Sequence, residues 1–286
     1  MHDMLQEIVS HKRAEVQESK SRRPLEELKR QAQDTALPRD FFGAVVCDPE
    51  PSDFRIIAEV KRKSPSAGQI RADFDPVDIA KRYHHAGAAA ISCLTDEHFF
   101  GGELGYIDRI RQAVPLPVIR KDFIIDAYQI WESRAAGADA ILLIAEILTE
   151  GQIIDYQILA TELGLTSLLE VHDVENLYMA MNHIGFPNAK YSLLGINNRD
   201  LDTMSVDLGH TLRMVDLVED RRIVVSESGI QTGSDLARLR AHGINIALVG
   251  EHLMKQPDPG AGLRQLLEEF AASEPEDENP GGDGVS

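Results

Sequence analysis

Cysteine is nearly absent from this chain. Its 286 residues include two, Cys47 and Cys93, in no metal-like spacing. That excludes a disulfide framework and fits a reducing, cytoplasmic setting. Cys93 lies in the apolar run AAAISCL and reads as a small core residue. No apolar stretch approaches the roughly 20 residues that span a bilayer. The N-terminus, MHDMLQEIVSHKRAEVQESKSR, is too polar for a signal peptide. Basic residues are scarce, 29 against 47 acids, for a net charge of −18. That balance argues against nucleic acid or an anionic membrane as partner. No G-x-G-x-x-G follows any apolar run, which weakens a dinucleotide-binding reading. No histidine cluster backs Glu170, His172 and Asp173 as metal ligands, so no metal is expected.

What the chain does contain is a repeat. Eight short apolar runs occur at 55–61, 88–94, 116–122, 138–144, 166–171, 191–197, 222–227 and 244–250. Amphipathic stretches such as DPVDIAKRYHHAG (75–87) and TGSDLARLRAHG (232–243) separate them. The phrases HHAGAAA, RAAGADA and RAHGINI each read as a helix end turning into a strand. Strands alternating with helices indicate parallel βαβ units. Eight of them favour an α/β fold of the closed (β/α)8 TIM barrel type over an open sheet. The spacing predicts an N-terminal helical extension over 1–50, a catalytic barrel over 51–272 and an acidic tail over 273–286. The extension reads as two helices, EIVSHKRAEVQESK and PLEELKRQAQ, able to lie over one barrel end. The tail has five acids and no base, a composition that predicts disorder.

A barrel gathers its chemistry at the C-terminal ends of its strands. Strand side chains alternate, so Glu59 and Lys61 share a face, as do Lys121 with Phe123 and Asn197 with Arg199. Glu170 ends the fifth run, and Ser226, Ser228 and Gly229 end the seventh. Each alone reads equally well as a solvated strand end. Two lysines, two glutamates, an asparagine and an arginine converging on one mouth read as an acid–base site. Gly229 and Gly250 mark turns where backbone N–H groups can meet an anion, in the two loops that commonly hold phosphate. Trp131 reads as packing. The Phe pair in EHFFGGE reads either as packing or as an apolar ligand wall.

The phrases IIAEVKRKSPSAG, LTDEHFFGG, VIRKDFIID, LLEVHD, LGINNRDL, VSESGI and ALVGEHLM occur in this order. In them the chain resembles the indole-3-glycerol phosphate synthase family, (β/α)8 enzymes of tryptophan biosynthesis. The likeness covers residues 1–270 and leaves out the tail. It implies a lyase that closes the indole ring of 1-(2-carboxyphenylamino)-1-deoxyribulose 5-phosphate with loss of CO2 and water. It implies Lys121 as general acid, Glu170 as base or acid in dehydration, and Lys61 on the substrate carboxylate or phosphate. Glu59 and Asn197 would orient these groups, with Arg199 in support. Phosphate would sit on Ser228, Gly229 and the Gly250–Glu251 backbone, with Ser64 nearby, and Glu251 would turn its backbone to the ligand. Phe100 and Phe123 would wall the aromatic ring. No cofactor, metal or obligate protein partner is implied. Ala67 and His252 depart from the family's usual residues.

Two other readings compete. Phosphoribosylanthranilate isomerase, another phosphate-binding barrel, would place a Cys/Asp pair near strands one and five, where this chain has Glu59, Lys61 and Glu170. A regulatory barrel that binds a phosphorylated metabolite without turnover would lack the acid and base residues.

Overall fold

The computed structural model describes residues 3–46, 54–200 and 205–273. Eight parallel strands form a closed barrel: β1 (Arg55–Val60), β2 (Ala90–Leu94), β3 (Val118–Lys121), β4 (Ala140–Ile144), β5 (Thr166–Val171), β6 (Ser192–Asn197), β7 (Val224–Glu227) and β8 (Ile246–Val249). The ring closes where β1 meets β8, with Arg55 opposite Ile246, and β2, with Glu59 opposite Ser92. All eight lie within the predicted runs.

Alternation sorts each strand into two cores. Ile57, Ile119, Leu168, Leu193, Val225 and Ile246 fill the barrel interior. Their neighbours Ile56, Ala58, Val118, Leu169, Leu194, Val224 and Ala247 face the helices. Each buried Ile or Leu contributes about 1.5–3 kcal/mol. The interior set decides the chemistry, because the residue two positions further along each strand also points inward, at the mouth.

The helices between strands are α4 (Pro76–His85), α5 (Tyr106–Ala113), α6 (Ala127–Ala135), α7 (Glu150–Glu162), α8 (Val174–Met181), α9 (Gly209–Met214) and α10 (Gly233–Ala241). The short α11 (Glu251–Met254) and the long α12 (Pro259–Ser273) follow β8. Thr232 caps α10 in a reciprocal box with Asp235. Gly87, Gly137 and Gly243 have φ of 93°, 86° and 80°, the left-handed turn that a helix C-terminus needs before a strand.

Among its described residues the extension holds three helices: α1 (Asp3–Arg22), α2 (Leu25–Asp34) and α3 (Phe41–Val45). The first two match the expected pair, and α3 is additional to it. Its Phe41 and Val45 are fully buried in the interior cluster. It contacts β1, β2 and the turn at Ala189–Tyr191 that precedes β6, so it plugs the N-terminal end. The α2 helix packs on α6 through Leu28, Ala32, Tyr128 and Trp131, which makes Trp131 a packing residue. The α1 helix reaches the opposite end, where Leu5 lines the mouth. The extension therefore covers both ends rather than one. Ser273 closes α12, one residue past the expected barrel boundary; the rest of the acidic tail and Cys47 lie outside the described residues.

Candidate active site

A cavity of about 520 Å³ opens at the C-terminal ends of the strands. Glu59, Lys61, Phe100, Lys121, Phe123, Glu170, Asn197, Arg199, Ser228, Gly229, Gly250 and Glu251 all line it. Of the thirteen residues singled out for catalysis or binding, Ser64 alone does not. Its hydroxyl stays within the hairpin formed by Lys63–Ser64 and Gly68–Gln69, accepting the Ala67 N–H at 3.1 Å beside Ser66 Oγ at 3.3 Å. A serine whose oxygen serves its own turn is a local structural element here.

Lys121 sits at the centre. Its Nζ bonds Glu170 Oε2 at 2.7 Å and also pairs with Glu227. Burial pulls the ammonium's pKa down, but Glu170, Glu227 and Glu59 outweigh it and hold it above the ordinary lysine value. Lys121 is therefore charged across the neutral range. A second couple, Lys61 with Glu59, lies at the end of β1. A Cβ at Gly250 would collide with Glu59 Oε1, so the glycine gives that carboxylate its room.

Glu227 is the residue that sequence reasoning missed. The stretch RIVVSES is apolar on both faces before its polar end, as buried parallel strands are, so it does not reveal its own phase. The sequence reading puts Ser226 at the mouth with Ser228. Val225 is the interior residue, so Glu227 points into the cavity and Ser226 points out. Ser226 instead meets Asn198 Nδ2 and Thr211 Oγ1, each at 3.1 Å. In the folded barrel the register sets Asn197 beside Glu227. Gly195 makes space for it, since a Cβ there would strike Glu227 Oε1.

The two glutamates around Lys121 are driven apart. Burial, then the charge of Glu170, pushes the Glu227 carboxyl up to about 8. Burial also presses Glu170 upward, but Lys121, His172 and the Asn197 amide win and leave it below the usual range. The two share one charge environment and titrate as a pair. Among the described residues Glu227 Oε1 is buried without a hydrogen-bond donor, which suits a protonated carboxyl better than a carboxylate. His172, two residues beyond Glu170, lies within ion-pair distance of Glu170 Oε1 (3.3 Å) and Glu146 Oε2 (3.1 Å). Burial lowers its pKa, but Glu146 and Glu170 prevail and raise it. Asp173 turns away to cap α8 at Asn176, so Glu170, His172 and Asp173 do not converge.

Asn197 links the halves of the site. Its Nδ2 donates to Glu170 Oε1 at 3.0 Å, and its Oδ1 accepts from Ser228 Oγ at 2.8 Å. Ser228 and Gly229 are consecutive left-handed residues, with φ of 68° and 86°. For a serine that conformation costs on the order of 1 kcal/mol, a strain often found where backbone is shaped for a ligand. Arg199 Nη2 reaches Glu251 Oε2 at 3.1 Å, and Glu251 also accepts from Lys255 Nζ at 2.7 Å. The Glu251 carboxylate thus faces two cations rather than standing free in the mouth. His252 is half-buried beside it on the cavity wall. The Phe100 and Phe123 rings lie 5.9 Å apart and form one apolar side.

A sequence model of the family "Indole-3-glycerol phosphate synthase" matches residues 5–266. The chain belongs to the indole-3-glycerol phosphate synthase family. A synthase of that name from Rhodopirellula baltica is 47% identical over 264 residues, covering 92% of this chain and 98% of the relative. One from Acidithiobacillus ferrooxidans is 46% identical over 267 residues, covering 93% and 99%. A solved structure, 3-hexulose-6-phosphate synthase from Salmonella typhimurium, superposes with a TM-score of 0.59 at 12% identity, over 76% of this chain and 99% of that one. At that identity it supports the barrel fold alone. The indole-3-glycerol phosphate synthase family match spans both the barrel and most of the helical extension.

Proposed function

We propose that this chain closes the indole ring of 1-(2-carboxyphenylamino)-1-deoxyribulose 5-phosphate to indole-3-glycerol phosphate, releasing CO2 and water. The observation that carries the reading is the largely buried Lys121 ammonium between Glu170 and Glu227, beside an aromatic wall, in a member of this family.

The chemistry divides among these groups. The aromatic carbon bearing the carboxylate attacks the ketone carbon, and Lys121 delivers a proton to the ketone oxygen as the carbon–carbon bond forms. The carbon–carboxylate bond then breaks, CO2 leaves, and its electron pair restores the ring. Dehydration follows: the new hydroxyl needs a proton to leave as water, and the adjacent carbon must lose one. Glu170, held ionised, is the base. Glu227, whose carboxyl burial and the neighbouring Glu170 charge push well above the usual range, is a second acid beside it. Lys61, oriented by Glu59, takes the substrate carboxylate and supports the acid role. Asn197 and Arg199 orient the hydroxyls, and Phe100 and Phe123 wall the ring. Phosphate sits against Ser228, Gly229 and the Gly250–Glu251 backbone. No step draws on a metal or an organic cofactor, and the reading involves no nucleic acid, membrane or obligate protein partner. Among the described residues no helix is long and apolar enough to cross a membrane. A cytoplasmic enzyme of a biosynthetic route suits that observation.

The isomerase alternative needs a reactive cysteine. Among the described residues the one cysteine is Cys93, which is buried and free, and burial pushes its thiol up to about 12, which leaves it inert. The test of the proposal is indole fluorescence during incubation with the carboxyphenylamino-deoxyribulose phosphate, with no metal added. Indole fluorescence that grows with turnover supports it. A folded protein that binds the substrate and makes no indole refutes it in favour of a regulatory barrel.

A further inference from the structure

Lys12 lies on α1, outside the barrel, yet its side chain is completely buried. Its Nζ meets Asp96 Oδ2 at 2.8 Å, Asp122 Oδ1 at 2.9 Å and Glu15 Oε2 at 2.9 Å. Three carboxylates thus surround one buried ammonium. Burial works against the charge, but Asp122, Asp96 and Glu15 outweigh it and raise the pKa.

Each aspartate in turn holds a piece of the cavity. Asp96 follows β2, and its Oδ1 accepts the N–H of Phe99 at 2.7 Å and of Phe100 at 3.3 Å. That turn sets Phe100 on the cavity wall. Asp122 follows Lys121 directly. Its Oδ1 also accepts the Phe123 N–H at 2.8 Å, and its Oδ2 accepts from Thr95 Oγ1 at 2.6 Å and Arg120 Nη2 at 3.0 Å. One cation from the extension therefore ties the end of β2 to the end of β3, the two elements that carry Phe100, Lys121 and Phe123.

We infer that Lys12 is a positioning residue for ring closure: it sets the spacing of the loops after β2 and β3, and so the placement of the aromatic ring against the Lys121 ammonium. The inference rests on the proposed synthase reading. It gives the N-terminal helix a part in the reaction beyond covering the mouth. Phosphate is held on the far strands β7 and β8, so losing Lys12 acts on the chemical step more than on substrate capture. A misplacement of about 1 Å at the reacting centre is worth up to 10²-fold in rate.

The test compares Lys12→Met, Lys12→Arg and the double variant Lys12→Met with Asp96→Asn. The double variant removes the ammonium without stranding the Asp96 charge, while the new amide keeps an oxygen for the Phe99 and Phe100 N–H groups. Steady-state indole formation and melting temperature are measured for each. The expected result is a kcat lower by roughly 10- to 100-fold in Lys12→Met, with KM changed by less than about threefold. Lys12→Arg recovers most of kcat, and the double variant regains melting temperature but not kcat. A double variant that regains both overturns the inference, because Lys12 then acts on stability alone. So does a raised KM at unchanged kcat. A wild-type chain that forms no indole refutes the synthase reading itself, before any variant is compared.

Discussion

Glu227→Gln is the substitution that bears hardest on the site. Glutamine copies a protonated glutamate: its oxygen can accept from Lys121, and its amide N–H can donate toward Glu170. It differs only in having no proton to lose. In the folded chain Glu227 moves from 4.5 to about 8 because it is buried and faces Glu170. A chain unfolded between those values has released this proton while the folded chain keeps it. The folded state then binds more protons, so its stability falls as pH rises. The contribution is complete below 4.5 and lost once pH passes about 8. The slope is about 1.4 kcal/mol per pH unit near pH 6 and falls to half of that at the folded pKa, so wild type should lose about 2 kcal/mol relative to Glu227→Gln between pH 6 and pH 8. Lys121 stays charged and Glu170 ionised in both chains over that window, so their contributions cancel in the difference. Urea midpoints at half-unit pH steps read it directly. Wild-type kcat should fall on the basic side near pH 8, and the variant, which cannot donate the proton, should be slower by about 10²-fold or more with no such limb. A stability difference that stays flat from pH 6 to pH 8 would show that Glu227 is ionised throughout, and its assignment as second acid would fail.

Three further outcomes follow from the same geometry. Lys121→Met should abolish indole formation while the substrate still binds, as read by titration calorimetry; unchanged turnover would remove Lys121 from the mechanism. Gly195→Ala places a methyl where Glu227 Oε1 lies, and should lower kcat at least 10-fold at a stability cost of about 1–3 kcal/mol; a kcat within twofold of wild type would mean the position of Glu227 is unimportant. Glu251→Gln removes a negative charge beside Arg199 and Lys255 at the mouth and should tighten competitive inhibition by inorganic phosphate by about two- to fivefold, the scale of a half-exposed ion pair; weaker inhibition would place phosphate elsewhere.

Much of this was legible from the chain because its polar residues stand out against apolar strands. Glu59, Lys121 and Glu170 each follow an interior residue by two positions, and a charge in that place marks the mouth. The signal failed where it was diluted. In β7 the apolar run has no alternation, so Ser226 and Glu227 exchange faces between sequence and structure. Ser64 was legible as a polar residue near the site, but whether its hydroxyl faces the ligand or its own turn depends on a hairpin of two-residue strands with almost no pattern. The α3 plug is five residues long, below the length at which periodicity speaks. Lys12 was invisible for another reason: on a helix rich in charge, nothing local separates a solvated lysine from one buried against Asp96 and Asp122, more than 80 residues away.

The stoichiometry of ring closure explains why the site needs more than one proton carrier. The substrate loses a carboxylate as neutral CO2 and a hydroxyl as water. Two protons must be delivered, one to the ketone oxygen and one to the departing hydroxyl, and a single proton is withdrawn from carbon. A lone acid–base pair that shuttled one proton back and forth would end each cycle one short. The cluster around Lys121 matches the demand: Lys121 and Glu227 each hold a proton near neutrality, and Glu170 holds none. That distribution is a consequence of crowding. Two carboxylates share one ammonium in a buried place, so one ionises fully against the cation and the other cannot. Replacing Glu227 with an apolar residue would leave a conventional Lys–Glu ion pair, well formed and one proton too poor for the reaction.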